Sequence, residues 1–374
     1  MRSQDPTPSD SLGSLFDVDA VEAVRRDLRV DPRLVQLLKN LVCKQFGTAG
    51  GDGSPPRQIR ANSEASSAYQ ELSRRLRTGT LTLDKREDSQ IDGATKLLFR
   101  NSDSLLLESV VLRFRSGRSS VCVSSQVGCA AGCTFCATGK MGVARSLSTD
   151  EILDQIVQAG RILAAEGRSL RNVVFMGMGE PLHNEEAVCQ AIARLTARDY
   201  FDLPPSRVLV SSVGVPAGMI RLAERFPRVH QALSLHSVDA DTRQRLIPLA
   251  RHTSLDELRQ TVGRLNELQT CPVMLEYLLL DGINDRPSDS AALTAWAQGL
   301  HTHINLIPFN DVDAASDLRA SSRQHEFSEA LKSEGFKVTT RNSLGRDISA
   351  ACGQLVQQEN RRIVRLSQRS KSVN

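Results

Sequence analysis

Residues 126–142 read QVGCAAGCTFCATGKMG and place three cysteines, Cys129, Cys133 and Cys136, on one short segment. A structural zinc site closes with four ligands, usually from two CxxC pairs, and this chain has no second CxxC pair. The next histidine, His183, follows a different predicted strand. Three thiolates instead suit a [4Fe–4S] cluster that leaves one iron open to an exchangeable ligand. The alternatives are a set of buried cysteines or an accidental zinc loop.

The chain on either side of these cysteines alternates between short apolar runs and helical patterns. The predicted strands are 121–126, 172–178, 207–213, 230–236, 273–280 and 303–309. The predicted helices are 148–166, 185–197, 217–226, 255–269, 288–300 and 321–335. This alternation indicates βαβ units in either a partial (β/α)6 barrel or a doubly wound sheet. Polar or glycine-rich residues end nearly every strand, as in GMGEP and SLHS, and barrel active sites are built at that edge. We therefore predict an α/β fold with a partial (β/α)6 TIM-like barrel.

The remaining segments predict three further parts of the chain. Residues 1–15 are polar and rich in Pro and Ser, which predicts a flexible leader. Residues 16–95 have helical periodicity broken by GTAGGDGSPP, which predicts a small, mostly helical accessory region. The barrel core is expected over 96–355. Residues 356–374 carry five basic residues and one glutamate, which is typical of a solvated basic tail that could contact phosphate.

Composition limits the compartment and the partners. The eight cysteines are clustered, unlike a disulfide framework, and such a cluster in a reducing compartment indicates metal binding or catalysis. No run approaches the roughly 18 apolar residues of a membrane span, and the N-terminus lacks the apolar core of a secretory signal. We expect a cytoplasmic protein without a membrane partner. The net charge of +4 is compatible with nucleic acid but too small to establish it.

A CxxxCxxC loop directly after a first barrel strand resembles that of radical S-adenosylmethionine (SAM) enzymes. From about residue 94 to 356 the chain resembles the RlmN/Cfr family of radical SAM rRNA methyltransferases. The matching segments are CVSSQVGCAAGCTFCATG, FMGMGEPLHN, ALSLHS, EYLLLDGIND, INLIPFN and GRDISAACGQL. They occur in the family's order, and the last is the most specific. The first 95 residues match poorly, and the family's accessory helical domain is expected there.

The resemblance implies two cofactors. One [4Fe–4S] cluster per chain would be held by the three cysteines, and SAM would bind the fourth iron through its amino and carboxylate groups. The matching strand-end segments imply contacts with SAM from Gly179, Glu180, Ser211, Ser234, Leu235, His236 and Asn310.

The resemblance also implies roles for residues outside the cluster. Cys352 would take a methyl group from a first SAM, because a thiolate is a good nucleophile for that displacement. A radical from a second SAM would remove a hydrogen from this methyl group, and the carbon radical would add to adenine. Glu108 would accept the ring proton. Cys122 would then attack the sulfur of Cys352, which releases the RNA and leaves a transient Cys122–Cys352 disulfide.

The substrate implied by the resemblance is an adenosine of 23S rRNA, methylated at C2 or C8, and the C2 branch of the family also modifies tRNA. GEPLHN, with Pro181, resembles the C2 branch, whereas FCATG and RFPRV resemble the C8 branch. An electron donor such as flavodoxin or ferredoxin is expected, and the protein is expected to be a monomer. Basic patches at 74–77 and 113–118 are more typical of a solvated face than of an RNA contact.

Two other functions remain open at this point. The chain could be a radical SAM enzyme acting on a small molecule or peptide, with Cys352 unused. It could also be a cluster-bearing or zinc-bearing RNA-binding protein, such as a ribosome-assembly factor, without catalysis.

Overall fold

The computed structural model describes residues 12–47, 55–310, 317–341 and 343–354. Its strands are β1 Gly13–Ser14, β2 Leu76–Arg77, β3 Thr82–Asp88, β4 Ala94–Arg100, β5 Leu106–Arg113, β6 Ser119–Cys122, β7 Gln126–Cys129, β8 Gly142–Ser146, β9 Asn172–Phe175, β10 Val208–Ser212, β11 His230–Ser234, β12 Val273–Leu279, β13 Thr302–Pro308 and β14 Val338–Thr340. Its α-helices are α1 Val18–Asp27, α2 Pro32–Lys39, α3 Ser63–Arg75, α4 Thr149–Ala165, α5 Glu185–Thr196, α6 Pro216–Arg225, α7 Ala240–Leu246, α8 Leu255–Leu268, α9 Pro287–Ala297 and α10 Gln324–Ser333. Short π- and 3-10-helical turns lie at Asn40–Lys44, Pro181–Asn184, Pro205–Arg207 and Pro248–His252.

Ten strands form one sheet in the order β14-β13-β12-β11-β10-β9-β6-β5-β4-β3. All neighbours from β6 to β14 are parallel. The strand order follows the chain without a reversal, whereas a doubly wound sheet reverses its order at a switch point. The prediction of a partial (β/α) barrel is therefore confirmed.

The helices between these strands begin at side-chain caps that the sequence supplies. Ser148 accepts from the Glu151 N–H, and the Glu151 carboxylate accepts in return from the Ser148 N–H, a capping box at the start of α4. Asp239 caps α7 through the Thr242 N–H, and Ser254 caps α8 through the Glu257 N–H. Caps of this kind fix where each helix leaves the strand edge that carries the site.

The predicted boundary at residue 95 is wrong, because it falls inside β4. The strands β3, β4 and β5 pair antiparallel with one another and extend the barrel sheet through β5 and β6. The mostly helical part of the accessory region therefore ends with α3. The sequence missed this because β3 has only one partner strand and is largely exposed, so it has no apolar run to mark it.

The helical accessory part packs directly on the barrel. Tyr200 donates its hydroxyl to Leu15 O at 3.2 Å, and Arg194 Nε donates to Phe16 O at 2.8 Å. Lys39 and Asp199 form an ion pair at 2.7 Å. Buried apolar residues of both parts belong to one continuous core, so the helices are fixed on the outer face of α5 and its following loop.

The predicted leader and tail lie mainly outside the described residues. Residues 1–11 and 355–374 are not described, so the predictions for the leader up to residue 11 and for the basic tail are not addressed. The last leader residues contradict the prediction, since Gly13–Ser14 pairs with Leu76–Arg77 and Leu15 is fully buried. In the described part of the chain, no helix combines the length and apolar character that crossing a membrane requires.

Candidate functional site

The three predicted cluster ligands lie on the loop of a small hairpin at the carboxyl edge of the barrel. The predicted strand 121–126 divides here: β6 ends at Cys122, and β7 pairs antiparallel with β8. Gly128 has φ of +85°, and a Cβ there would lie 1.9 Å from the carbonyl oxygen of Gly142. Only glycine fits this position, and the hairpin consequently turns tightly enough to gather the cysteines.

The loop is partly buried, with Cys133 buried and Cys129 and Cys136 half-buried, and its thiols are donors that suit an iron–sulfur cluster. Burial raises the pKa of the Cys129 thiol to about 12 and raises the pKa of Cys133 and Cys136 as well. The Ala131 N–H donates to Cys129 Sγ at 3.5 Å. Among the described residues, no three Cys, His, Asp or Glu side chains are grouped to hold a single metal ion. A cubane cluster held by three thiolates takes one thiolate per iron, so three thiols on one short loop fit a [4Fe–4S] cluster.

Glu180, a predicted SAM contact, is tied to the backbone of the neighbouring strand end. Its carboxylate accepts from the Leu182 N–H at 3.1 Å and from the Val213 N–H at 2.9 Å. Burial raises its pKa, which these hydrogen bonds oppose. Gly179 has φ of +104°, and a Cβ there would lie 2.7 Å from Gln126 Cβ. A side-chain hydrogen bond with Ser212 also holds the Glu180 carboxylate. Gly179 and Glu180 therefore join the segments that follow β9 and β10 to the start of β7.

Ser211 and Ser234 are brought together by a residue that the sequence analysis did not single out, Glu276. Its Oε2 accepts from Ser211 Oγ at 2.7 Å and from Ser234 Oγ at 3.3 Å. Glu276 is 4% exposed, inside the barrel on β12. The sequence does contain a signal for this residue, because Glu276 is the charged residue within the apolar run MLEYLLL. A carboxylate buried in a strand needs hydrogen-bond partners, which predicts polar residues opposite it.

Leu235 and His236 continue from β11 and are held by backbone contacts. Both of their N–H groups donate to Glu276 O, at 3.0 and 3.1 Å. His236 Nδ1 accepts from the Leu278 N–H at 3.0 Å, and its ring meets Phe135 edge-on at 4.8 Å. Burial lowers the pKa of His236 to about 3, with Arg243 adding to the effect. A neutral His236 thus links the strand edge to the cysteine loop.

Asn310 contacts the segment that carries Cys352. Residues 343–354 are named here the Cys352 segment. Asn310 Nδ2 donates to Ser343 Oγ at 3.1 Å and to Cys352 O at 3.2 Å, while Arg346 Nε donates to Asn310 Oδ1 at 2.9 Å. The Ala137 N–H donates to Gly353 O at 2.7 Å, which ties the segment to the cysteine loop. Asn310 was predicted to contact SAM, and in this structure its side chain holds Cys352 beside the cysteine loop.

One cavity of about 1010 Å³ is lined by cysteines from separate parts of the chain, namely Cys122, Cys136 and Cys352. Cys122 and Cys352 are both free thiols in this structure. Arg341 lines the same cavity, with Nη1 3.2 Å from Met176 Sδ and 3.8 Å from the nearer Glu276 oxygen, Oε1. Its pKa is raised chiefly by the charge of Cys352. Burial raises the pKa of Cys122 to about 12.

Glu108 lies on β5 next to the strand that carries Cys122. Alternation along the strand places Glu108 on the face of Val110 and Leu112, which line the cavity. Ser109 points the other way and donates to Gln155 of α4 at 2.7 Å. Glu108 is 1% exposed, with Lys96 Nζ 4.0 Å away. Strand alternation thus places this carboxylate on the same side of β5 as two residues that line the cavity.

The remaining sequence-selected features lie apart from the cavity or border its rim. Cys189 is buried in α5. The arginines of patch 74–77 all pair with carboxylates, which fits a solvated face. From patch 113–118, Arg113 pairs with Glu166 at 2.6 Å and Arg115 lines the cavity. The β3–β4 turn, residues 89–93, also borders it.

Comparisons with known proteins agree with this geometry. Residues 123–293 match the model of the radical SAM superfamily. The chain is 49% identical over 360 residues to a probable RNA methyltransferase of Rhodopirellula baltica, covering 96% of this chain and 91% of that one. It is 40% identical over 285 residues to a probable dual-specificity RNA methyltransferase RlmN of Thermus thermophilus, and the match covers 76% of this chain and 80% of that one.

A further sequence relative and a solved structure are also similar to this chain. A dual-specificity RNA methyltransferase RlmN 1 of Myxococcus xanthus is 40% identical over 273 residues, with 72% of this chain and 75% of that one covered. The crystal structure of a radical SAM methyltransferase from Sphaerobacter thermophilus superposes with a TM-score of 0.82 at 34% identity, covering 91% of this chain and 98% of that one. The likeness therefore extends over sequence and fold together.

Proposed function

This chain belongs to the RlmN/Cfr family of radical SAM RNA methyltransferases, and from that membership we propose that it methylates a ring carbon of adenine, C2 or C8, in 23S rRNA. The methyl group travels through Cys352, and each turnover consumes two SAM molecules. Because the RlmN relatives are named dual-specificity enzymes, tRNA is the proposed second substrate. The expected electron donor, monomeric state and cytoplasmic location stay predictions.

The observation that carries this proposal is the single cavity lined by Cys122, Cys352 and the cluster ligand Cys136. A resolving thiol and a methyl-carrying thiol are useful only if both reach the same reacting carbon. The cavity's lining joins residues more than two hundred positions apart in the sequence. A radical SAM enzyme that left Cys352 unused would have no reason to hold it there.

One group of residues in the site would bind the cofactors. Cys129, Cys133 and Cys136 would hold the cluster, and SAM would lie against Ser211, Ser234 and the Gly179–Glu180 turn. When bound, these cofactors supply the deoxyadenosyl radical that activates the methyl group on sulfur. The partial burial of these residues limits access of solvent and of side reactions to the site.

The later steps fall to Glu108 and Cys122. After the adduct has given up its unpaired electron to the enzyme's electron-transfer partner, Glu108 accepts the proton from the substituted ring carbon. The Cys122 sulfur, as thiolate, then attacks the Cys352 sulfur. The carbon–sulfur bond to the RNA breaks, its electron pair stays on the carbon, and that carbon takes up a proton to become the methyl group. An external reductant supplies two electrons and two protons to reopen the disulfide. Arg341 lines the cavity together with both cysteines, and its positive charge partly offsets the rise that burial gives to the pKa of Cys122.

The RNA approaches from the cavity's open side. Arg115 and Arg168 line this side with the β3–β4 turn. Cationic side chains would contact phosphates, while the adenine is splayed out of its stack into the cavity. Ile91, at the tip of this turn, is 72% exposed and is placed to pack against an unstacked base.

The decisive experiment replaces Cys122 with Ala in the reconstituted enzyme under anaerobic conditions. We expect protein covalently linked to RNA through Cys352 to accumulate, because the thioether cannot be resolved. Cys271→Ala, a thiol remote from the cavity lining, is the matched control and should form free product. Free methylated RNA from Cys122→Ala at the normal rate would refute the assignment. Mass spectrometry of nucleosides from deletion and complemented cells then distinguishes C2- from C8-methyladenine.

A further inference from the structure

Arg243 of α7 is a buried cation with no carboxylate partner. Its side chain is 2% exposed. Nη1 donates to Ser234 O at 2.8 Å and also to Leu235 O, and Nη2 donates to Val213 O at 2.7 Å. Within the described ranges Cys133 is the only charged neighbour that acts on Arg243, no carboxylate does so, and the Arg243 Nε–H has no hydrogen-bond acceptor.

Burying an unpaired guanidinium costs desolvation free energy. Removing an ion from water costs several kcal/mol even after the protein relaxes, unless an opposite charge compensates it. Burial lowers the pKa of Arg243 to about 10, which still leaves the guanidinium charged at neutral pH. Three carbonyl dipoles offset part of the cost, but dipoles do not supply a counter-charge. An anion is therefore missing from the protein's own side chains at this place.

The element that carries Arg243 is also the element on which the cysteine loop rests. The Thr134 N–H donates to Leu246 O, the last residue of α7, at 2.9 Å, and the Leu249 N–H donates to Ala131 O at 3.3 Å. Cys133 is the neighbouring group whose negative charge acts on Arg243. The orphaned cation and the cluster ligands are thus neighbours within one packed unit.

We propose that Arg243 is the counter-cation of the bound [4Fe–4S] cluster and that it sets the cluster's reduction potential. A cubane core held by three thiolates carries a negative charge, which one-electron reduction doubles. A fixed positive charge in a site of low dielectric constant stabilises the reduced form more than the oxidised form. Arg243 thereby eases the electron uptake on which SAM cleavage depends. This inference rests on the cluster assignment of the proposed function, and it is independent of the RNA product.

The test compares midpoint potentials of reconstituted full-length protein, measured by an EPR-monitored redox titration. The variants are Arg243→Met, which removes the charge, and Arg243→Lys, which keeps the charge but loses the forked contact with the carbonyls. We expect Arg243→Met to disfavour reduction about tenfold, a potential lower by about 59 mV for one electron, and Arg243→Lys to stay near wild type. Arg245→Met is the matched control, since Arg245 lies on the same helix but is exposed, where solvent screens its charge.

Each outcome decides the proposal. An unshifted potential in Arg243→Met, or equal shifts in the Met and Lys variants, would overturn it, because the role would then be structural. A shift that appears only when SAM is added would also overturn it, because SAM's carboxylate would be the anion. If Arg243→Met fails to load iron and sulfide while Arg243→Lys loads normally, the charge is required and the proposal stands; failure of both overturns it.

The same experiment separates this proposal from the proposed function. Wild-type protein without iron and sulfide would refute the cluster assignment and the inference together. A normal cluster with an unshifted Arg243→Met potential would refute only the inference. A shifted potential in an enzyme that yields no methylated RNA would refute only the proposed function.

Discussion

Replacing Asn310 with Ala should release the Cys352 segment from the site. The Asn310 side chain makes three hydrogen bonds to this segment, to Ser343, Cys352 and Arg346. Asn310 itself is 4% exposed, so water does not replace these bonds while the segment stays in place. The variant should keep the barrel intact, because no barrel strand depends on these contacts.

The loss of free energy that holds the Cys352 segment in place can be worked out from the three hydrogen bonds that Asn310→Ala removes. Each of the two neutral bonds contributes about 1 kcal/mol and the bond from the Arg346 guanidinium about 1.5 kcal/mol, which together amount to about 3.5 kcal/mol. Since 1.4 kcal/mol is a factor of ten, local opening should become about three hundredfold more frequent. The bond between the Ala137 N–H and Gly353 O remains, as do the bonds from Asp347 to Ser89 and Gln90.

The assay is the rate at which iodoacetamide labels Cys352 in native protein, followed by peptide mass spectrometry. When the segment reopens and closes faster than the reagent reacts, the rate follows the opening equilibrium. Asn266→Ala is the matched control, because the Asn266 side chain also holds a loop, through His301, far from the cavity lining. Equal labelling of Cys352 in wild type and Asn310→Ala, or equal acceleration by Asn266→Ala, would refute the reasoning.

Three further outcomes are expected. Cys129→Ala should abolish the brown cluster absorbance after anaerobic reconstitution, whereas Cys271→Ala should keep it; an intact cluster in the first variant would overturn the ligand assignment. Glu276→Gln should weaken SAM binding about fivefold in equilibrium dialysis, because the two serine hydroxyls exchange a carboxylate acceptor for an amide acceptor that is weaker by about 1 kcal/mol; an unchanged Kd would contradict this. Burial lowers the pKa of His236 to about 3, so between pH 6.5 and 3 the unfolded chain binds a proton that the folded chain does not. Stability should therefore fall below about pH 6.5 by up to about 1.4 kcal/mol per pH unit. His236→Asn, which suits the φ of +57° at this position, should remove that part of the acid sensitivity in melting temperatures measured against pH, and an unchanged acid slope would argue against it.

Periodicity predicted the barrel well because each βα unit buries its own apolar pattern. The six predicted strands and six predicted helices all occur, with ends shifted by a few residues. Periodicity failed to predict the barrel's first edge, because the exposed strand β3 and the first two residues of β4 fall within the region predicted to be mostly helical. An edge strand is stabilised by pairing with its neighbour, and that pairing leaves little trace in local composition.

The candidate site was predictable where chemistry follows from local spacing. The cysteine loop could be identified from the distance between its thiols along the chain. Glu276, Arg341 and Arg243 could not, because their meaning depends on which side chains face them across the barrel. Asn310 was expected at SAM, yet its described contacts are with the Cys352 segment, a partnership between distant parts of the chain.

The sequence by itself determined a parallel α/β barrel with three thiols at its carboxyl edge, since both features are encoded in residues that are neighbours along the chain. Only the tertiary structure decided that Cys122 and Cys352 share a cavity and that Arg243 is buried without a carboxylate. The physical reason is that electrostatics and hydrogen bonding act through space. A charge acquires its function from the atoms that folding brings around it.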